Sequence, residues 1–562
     1  MHSSHSKLKD YIPKLFLCIK EGYTKKYFFN DLFAGISVGV ITLPFALAFA
    51  IGAGVSPERG LFTAIIAGFL ISFLGGSRVQ IGGPTGAFVP VIYAIIQNHG
   101  YNGLAVATII AGILMILMGI ARFGVLLKFI PFPVTTGFTT GIALVIFTSQ
   151  IKDFFGLQID KVPPHFLEKC TIFCLNAYTW NIWAFLIALS TLLFIFMLRK
   201  YAAKLPGIII AIIGATVVSY FFDLPVETIH SKFGEIPRML PLPSFPSLSY
   251  QLIKNVFPDA ITIALLGAIE SLLSAVVADG MIGSKHRSNC ELVTQGVANI
   301  GSILFGGIPA TGAIARTSAN IKMGAKTPIA GMIHAVTLIV IMFALAPLVS
   351  HIPLCALSAV LIYVAWNMSE LGHFIEIVKS EKSEALILVV TFALTVLIDL
   401  AVAVQIGLLL SAVIFMYKMT DNTSVEICRV LVDENIHETP ELRDADILFR
   451  KDIPKDVVVF EITGPFFYSV ADLLNETLIK LDKIPRVFIV RMHKVPLVDI
   501  TGMRALKAFQ AKCKQKGILF LLSGVSKKVR EQFKKARVEK TIGKDHIFSD
   551  IHSALSYVKL QS

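Results

Sequence analysis

The sequence predicts an all-α polytopic membrane domain followed by a small α/β domain. Three observations carry the prediction. Of 562 residues, 55% are hydrophobic and only 16% charged. Apolar runs of membrane-spanning length recur along the first 420 residues, and after Thr420 the pattern changes abruptly to alternating apolar and charged residues. A soluble core cannot hide that much apolar surface, so the first part belongs among membrane proteins.

The elements follow in order. Residues 1–30 contain Lys7, Lys9, Lys14, Lys20, Lys25 and Lys26 and no long apolar run. They read as a cytoplasmic amphipathic lead-in, not a cleavable signal peptide, with the N-terminus held inside. A first apolar block extends from about Leu32 to Phe222 and a second from about Val256 to Lys418. Between them, Asp223 to Asn255 is polar and carries Pro225, Pro237, Pro241, Pro243 and Pro246, which suits a linker and not a membrane helix. Runs such as Leu104 to Ile120, Ile182 to Leu198, Ile208 to Phe222, Ala330 to Leu348 and Ala385 to Met416 approach or exceed the roughly 20 residues that cross a bilayer. About a dozen such spans are expected, plus two short, broken ones. In the tail, strand-like Val457 to Ile462, Val487 to Met492 and Ile518 to Ser523 alternate with helical Val470 to Leu481, Gly502 to Lys514 and Ser526 to Lys535. That alternation predicts helices packed on a central sheet.

The two breaks are the most informative feature. Gly82-Gly83-Pro84-Thr85-Gly86 and Gly306-Gly307-Ile308-Pro309-Ala310-Thr311-Gly312 interrupt apolar sequence at membrane depth. Backbone without helical hydrogen bonds is tolerated there only where protein or a water-filled cavity satisfies it, so paired breaks mark a substrate site. Asp31 lies 228 residues before Asp259, and Pro84 lies 225 before Pro309. Agreement within three residues points to an internal repeat of two halves. Half-helices starting near Thr85 and Thr311 would aim free N–H groups and positive dipole ends into one cavity, where an anion needs few charged side chains. Arg316, one turn further on, would add a full charge from behind, or would bind backbone carbonyls or lipid phosphate instead.

Glu270 is the strongest single residue, because a carboxylate inside a membrane helix costs about 3 kcal/mol on insertion scales and is usually kept for an ion or proton pathway. Ser274 lies four residues on and shares its helix face. Together they suit Na⁺ as a cotransported ion, while the carboxylate alone suits H⁺; a structural acid bonded to neighbouring helices is the plainer alternative. His334 reads as a packed histidine more than a proton relay, and Asp399 as a helix cap or a ligand. Asp279, Lys285, His286, Arg287 and Glu291 read as a solvated loop without chemistry. The seven cysteines, with Cys170 and Cys174 close in sequence, form no zinc pattern. The formal charge of +13 is spread over both parts of the chain and lacks the concentrated stripe of a nucleic-acid binder. The tail has no Walker or G-x-G-x-x-G pattern, which argues against an ATP-driven pump, and no nucleophile-base pair accompanies the breaks, which argues against an enzyme.

These residues resemble a known family. Ile269-Glu270-Ser271-Leu272-Leu273-Ser274-Ala275, Gln295-Gly296-Val297-Ala298-Asn299, Phe305 to Gly312 and Ala315-Arg316-Thr317-Ser318-Ala319-Asn320 are similar to bacterial members of the SulP family of anion transporters. Leu43-Pro44, Ile81-Gly82-Gly83-Pro84-Thr85 and Phe233-Gly234-Glu235-Ile236-Pro237 add to the match, and the tail, with Val498-Asp499-Ile500-Thr501-Gly502, looks like a STAS domain. The resemblance implies fourteen membrane segments in a seven-plus-seven inverted repeat, divided into core and gate domains with an elevator-type movement. It also implies a homodimer in a bacterial inner membrane with both termini cytoplasmic, and substrates such as sulfate, bicarbonate, chloride or dicarboxylates. Carried over by position, the anion site comprises Thr85, Gly86, Ala87, Phe88, Gly312, Ala313, Ile314, Ala315 and Arg316, with Thr42 and Phe45 from the first span. Glu270 and Ser274 stand where sodium-coupled bicarbonate members carry an acid and a hydroxyl. Many members have Gln where this chain has Phe45; losing that amide disfavours sulfate, a strongly hydrated dianion that needs many donors. Thr501 matches the residue phosphorylated in related regulators, the plainer reading being a cap on the helix starting at Gly502.

The expectation is therefore a secondary transporter of a small anion, coupled to Na⁺ or H⁺ through Glu270, with residues 31–420 as the transporter and 421–562 as a STAS domain offering a surface to a cytoplasmic partner. An uncoupled exchanger, and a membrane sensor that binds an anion and signals through the tail, are the alternatives.

Overall fold

The computed structural model describes residues 9–561 apart from 125–130, 160–161, 164, 202–205, 236, 399, 422–423, 428–452, 455 and 467–483. Asp399, Cys428 and the helix expected over Val470 to Leu481 lie outside the described residues. The chain divides into two units, residues 1–411 and 412–562.

The first unit is helical. A short helix, α1 (Lys14–Lys20), precedes α2 (Lys25–Gly52), α3 (Pro57–Leu74), the two-residue strand β1 (Gly82–Gly83), α4 (Phe88–Ile120), α5 (Phe132–Ser149), α6 (Phe166–Leu175), α7 (Ile182–Tyr201) and α8 (Gly207–Phe221). After the linker come α9 (Tyr250–Ile282), α10 (Ser288–Leu304), β2 (Thr311–Gly312), α11 (Ile314–Lys322), α12 (Ile329–Val349), α13 (Leu354–Met368), α14 (Lys382–Leu397) and α15 (Leu400–Asp421). Gly100, at φ 65 and ψ −175, breaks α4 into two helices, a conformation open to glycine because it lacks a Cβ. In each half a two-residue strand follows the second long helix, β1 after α3 and β2 after α10. Among the described residues, eight helices are long and apolar enough to cross a membrane, and Gly207–Phe221 and Val402–Lys418 are shorter apolar helices.

The helices pack as two bundles. In one, α4 lies against α9 and α10, and α12 against α2 and α3; in the other, α5 packs on α13 and α14, and α13 on α7. Asp31 is fully buried in the second turn of α2, where its carboxylate accepts the Lys326 N–H at 2.7 Å and the Thr327 hydroxyl at 2.6 Å. Asp259 of α9 is partly exposed and lies 4.0 Å from His99 of α4, beside the Gly100 break. Asp31 therefore braces the loop after α11 in the opposite half, and both helices start earlier than the apolar pattern suggested, at Lys25 and Tyr250.

Cys170 and Cys174 sit one turn apart on α6 as free thiols. One other expectation is corrected. The supposed solvated loop is largely structural: Glu291 is fully buried in the first turn of α10, accepting the Gly76 N–H at 2.8 Å and the Gln295 amide at 2.9 Å. Asp279 accepts the His286 N–H and faces its ring Nδ1, both at 2.7 Å, and the Ser284 hydroxyl at 2.8 Å. Buried loop N–H groups need a partner, and these acids supply it for Gly76 and His286.

The second unit contains β3 (Ser424–Ile427), β4 (Val457–Thr463), β5 (Val487–Lys494), α16 (Ile500–Gln515), β6 (Leu519–Ser523), α17 (Lys527–Lys535) and α18 (Ile551–Leu560). The sheet order is β3-β4-β5-β6, with β3 antiparallel to β4 and the other pairs parallel. The parallel strands are buried on both faces: Phe460, Phe488 and Phe520 pack towards Phe509 of α16, while Val459, Ile489 and Leu521 pack towards Leu555 of α18. Asp499, not Thr501, caps α16, its carboxylate accepting the Gly502 N–H at 2.6 Å. Thr501 is exposed in the first turn.

Candidate functional site

The two glycine-proline breaks meet. Gly82 pairs with Gly312 and Gly83 with Thr311 as an antiparallel two-strand ladder, and the Ala313 N–H continues it onto the Ile81 carbonyl at 2.9 Å. Backbone groups freed from helices at this depth thus satisfy one another across the two halves. The ladder takes up Thr311 and Gly312, so α11 begins at Ile314, while α4 begins at Phe88 after a turn in which the Thr85 carbonyl accepts the Phe88 N–H at 3.3 Å.

Buried polar side chains hold the crossing in place. Asn299 of α10 grips Ala310 on both backbone groups, Nδ2 donating to its carbonyl and Oδ1 accepting its N–H, each at 2.8 Å. Thr63 of α3 accepts the Ile308 N–H at 2.7 Å. From α9, Gly267 accepts the Thr311 hydroxyl at 3.0 Å, and Ser271 accepts the Gly312 N–H at 3.2 Å while its carbonyl accepts the Gln80 amide at 3.0 Å. A Cβ at position 312 would lie 1.5 Å from Gln80 Nε2 and 2.6 Å from its Cδ, so any larger residue there forces Gln80 to move. Gly83 is similarly fixed by φ 147 and by Arg316, whose Nη1 would be 2.6 Å from a Cβ. Gly312→Ala should therefore displace Gln80 and break its bond to Ser271, lowering stability by about 1 kcal/mol without preventing membrane insertion. A thermal melt of the purified variant, with gel filtration as the folding control, checks this.

Of the two readings of Arg316, the bond to a backbone carbonyl is present. Arg316 is 4% exposed and crosses to the other break, donating from Nη2 to the Pro84 carbonyl. Its Nη1 has no hydrogen-bond partner among the described residues. The Thr85 hydroxyl donates to Glu270 Oε2 at 3.0 Å, which brings the acid of α9 to the first break. Ser274 turns elsewhere, donating to Thr317 Oγ1 at 3.2 Å, and that oxygen also accepts the Ile81 N–H at 3.0 Å. Thr42, fully buried, bonds His334 Nε2 at 3.0 Å, which agrees with a packed histidine. Phe45 is half-buried and stacks on Phe49 with ring centroids 6.0 Å apart. Ala87, Phe88 and Ala313 are buried, Ile314 and Ala315 exposed, and Gly86 lies against Phe49, Ile146 and Met368, at the junction of the two bundles.

The structure thus gathers Thr85, Glu270, Arg316, Gly312 and Ala313 around one crossing. The side chains that sequence reading missed are Thr63, Gln80, Ser271, Asn299 and Thr317. Each is a buried polar residue in apolar sequence, which is a usable signal, but its partner lies in the other half or on another helix.

The sequence signature of the Sulfate permease family matches residues 28–391. The chain belongs to this family. The STAS domain signature matches residues 449–554. A Bacillus subtilis protein named "Putative sulfate transporter YvdB" is 40% identical over 538 residues, 95% of this chain and 98% of that one. The bicarbonate transporter BicA of Picosynechococcus is 30% identical, over 94% of each chain. Among solved structures, the transmembrane domain of a cyanobacterial BicA aligns with TM-score 0.61 and 30% identity, covering 69% of this chain and 98% of that one. The SLC26A9 structure covers 100% of this chain and 94% of that chain with TM-score 0.85 at 19% identity, a likeness of fold. The fold is thus a predominantly helical SulP-type transmembrane unit with a C-terminal STAS domain, its relatives are anion transporters, not enzymes, and the chain is a multi-pass membrane protein of that family.

Proposed function

We propose that this permease carries out secondary active transport of a small anion, bound where the two broken segments cross and coupled to Na⁺ or H⁺ through Glu270. The observation that carries the reading is Arg316, a buried guanidinium that spans from one break to the carbonyl of the other and keeps one nitrogen without a protein partner. A buried cation next to two helix N-termini favours an anion there. Glu270, bonded to Thr85 of the same crossing, places a titratable or cation-binding group next to that anion. Ser274, committed to Thr317, supports the cation site only through a rotamer change.

Bicarbonate is the favoured substrate over sulfate. Phe45 and Phe49 supply aromatic rings where a tetrahedral dianion would need donors, and BicA is among the similar proteins. An inverted-repeat relation of the halves is supported by the antiparallel strand ladder, in which the breaks of the two halves pair with each other. We take residues 421–562 as the STAS tail and assign the chain to a bacterial inner membrane, both termini cytoplasmic, as a homodimer moving by an elevator-type displacement of one bundle against the other. Reconstituted vesicles test the reading: radiolabelled bicarbonate, sulfate, chloride and dicarboxylate are offered at two pH values with and without a sodium gradient. Bicarbonate accumulation dependent on an imposed cation gradient is expected. Exchange independent of any gradient would replace symport by exchange, and binding without flux would make the protein a sensor.

A further inference from the structure

Apart from the crossing, one cavity is strongly cationic. It encloses about 410 Å³ and is lined by Lys14, Arg78, Lys285 and Lys326, four cations contributed by α1 and by the loops that follow α3, α9 and α11. The acids nearby are already engaged. Asp279 binds Ser284 and His286, Asp31 binds Tyr23, Lys326 N–H and Thr327, and Glu21 pairs with Arg78. Among the described residues, Lys14, Lys285 and Lys326 have no ion-pair partner. Their walls are fixed by backbone: Lys14 N–H donates to the Gly75 carbonyl at 2.9 Å, Arg287 N–H to the Gly76 carbonyl at 3.0 Å, and the Arg287 guanidinium to the Ile12 carbonyl. Partial burial, then the neighbouring Arg287 and Arg78, hold the Lys14 ammonium below the usual lysine range. A site that crowds four cations and pairs only Arg78 with an acid is short of negative charge.

We propose that this cavity binds a phosphate group carrying more than one negative charge. The flank of the cavity favours a lipid headgroup as its source. Helix α1 and the turn before it expose Ile12, Phe16 and Ile19, and Phe16 packs edge-on against Phe73 at the end of α3 with centroids 6.3 Å apart. An amphipathic helix with apolar side chains outward and lysines at its ends lies in a bilayer interface, at headgroup depth. The bound phosphate would clamp α1 onto the loops after α3, α9 and α11, the elements that lead into the crossing.

The test titrates the purified full-length protein in a neutral detergent with three probes: short-chain phosphatidic acid, short-chain phosphatidylcholine and inorganic phosphate. Saturable binding of phosphatidic acid is expected, weakened at least about tenfold in Lys14→Gln/Lys285→Gln/Lys326→Gln, since each lysine near an anionic headgroup is worth roughly fivefold. Lys326→Arg should retain binding, because the charge remains and the backbone bond to Asp31 is untouched. Binding that survives Arg316→Ala assigns the phosphate to this cavity and not to the crossing. If inorganic phosphate binds as tightly as phosphatidic acid, with the same loss in the triple variant, the site stands and its ligand is free phosphate. If neither phosphate probe binds, if phosphatidylcholine binds equally well, or if the triple variant binds like the parent, the proposal is wrong.

Discussion

Replacing Glu270 with Gln should abolish cation-gradient-driven uptake while leaving the protein folded and membrane-inserted. The carboxylate sits on α9, and Oε2 accepts the Thr85 hydroxyl at 3.0 Å. A glutamine carbonyl can accept the same bond, so the contact with the first break survives and only the charge and the titrating proton disappear. Coupling requires a group that gains or loses a cation during the cycle; an amide takes up no proton at physiological pH and offers Na⁺ only an uncharged oxygen, a weaker ligand than a carboxylate. Initial uptake driven by a sodium or proton gradient should fall by at least roughly tenfold, the equivalent of about 1.4 kcal/mol. Counterflow of the anion at zero gradient should be affected far less. Unchanged gradient-driven uptake would remove the coupling role from Glu270 and leave it a structural acid.

The second large effect is expected at Arg316. Its guanidinium is buried, bonds the Pro84 carbonyl across the crossing and offers a second nitrogen without a partner. Arg316→Ala should weaken anion binding about 10- to 100-fold, because a charge-assisted hydrogen bond contributes about 1.5 to 3 kcal/mol and the crossing also loses its bridge. Arg316→Lys should recover only part of this, since an ammonium keeps the charge but not the planar fork that reaches carbonyl and anion together. Equilibrium tracer binding separates this from expression, which should change little: the strand ladder between Gly82-Gly83 and Thr311-Gly312 does not depend on the side chain. Wild-type affinity in Arg316→Ala would place the anion elsewhere.

Much of the fold was legible because membrane depth imposes local rules. A run of apolar residues must be helical there, and a glycine-proline cluster inside it must be a break. Glu270 stood out for the same reason, as a charge where charge is costly. The alternation of strands and helices after Thr420 also agrees with the observed sheet, wherever those residues are described. Cap assignments were less legible. Thr501 and Asp499 both suit an N-cap, and the backbone chose the aspartate because its carboxylate lies 2.6 Å from the Gly502 N–H. Glu291 was misread as solvated because a sequence does not show that the Gly76 N–H, more than 200 positions earlier, needs its oxygen.

By itself the sequence determined that this chain is a two-part membrane protein with two breaks, an intramembrane acid and an arginine one turn past the second break, since each of these is a property of a short segment in a fixed solvent. Only the tertiary structure decided what the breaks do to one another. The ladder Gly82 to Gly312 and Gly83 to Thr311, the reach of Arg316 to Pro84 and the bond from Thr85 to Glu270 join residues that lie roughly 185 to 232 positions apart. Such pairings depend on how helices from both halves pack around the crossing, and no local pattern encodes the partner of a buried hydrogen-bonding group. Ser274 shows the consequence: four residues after Glu270 it shares a helix face, yet its hydroxyl is held by Thr317, because the packed neighbour and not the helical spacing satisfies a buried donor.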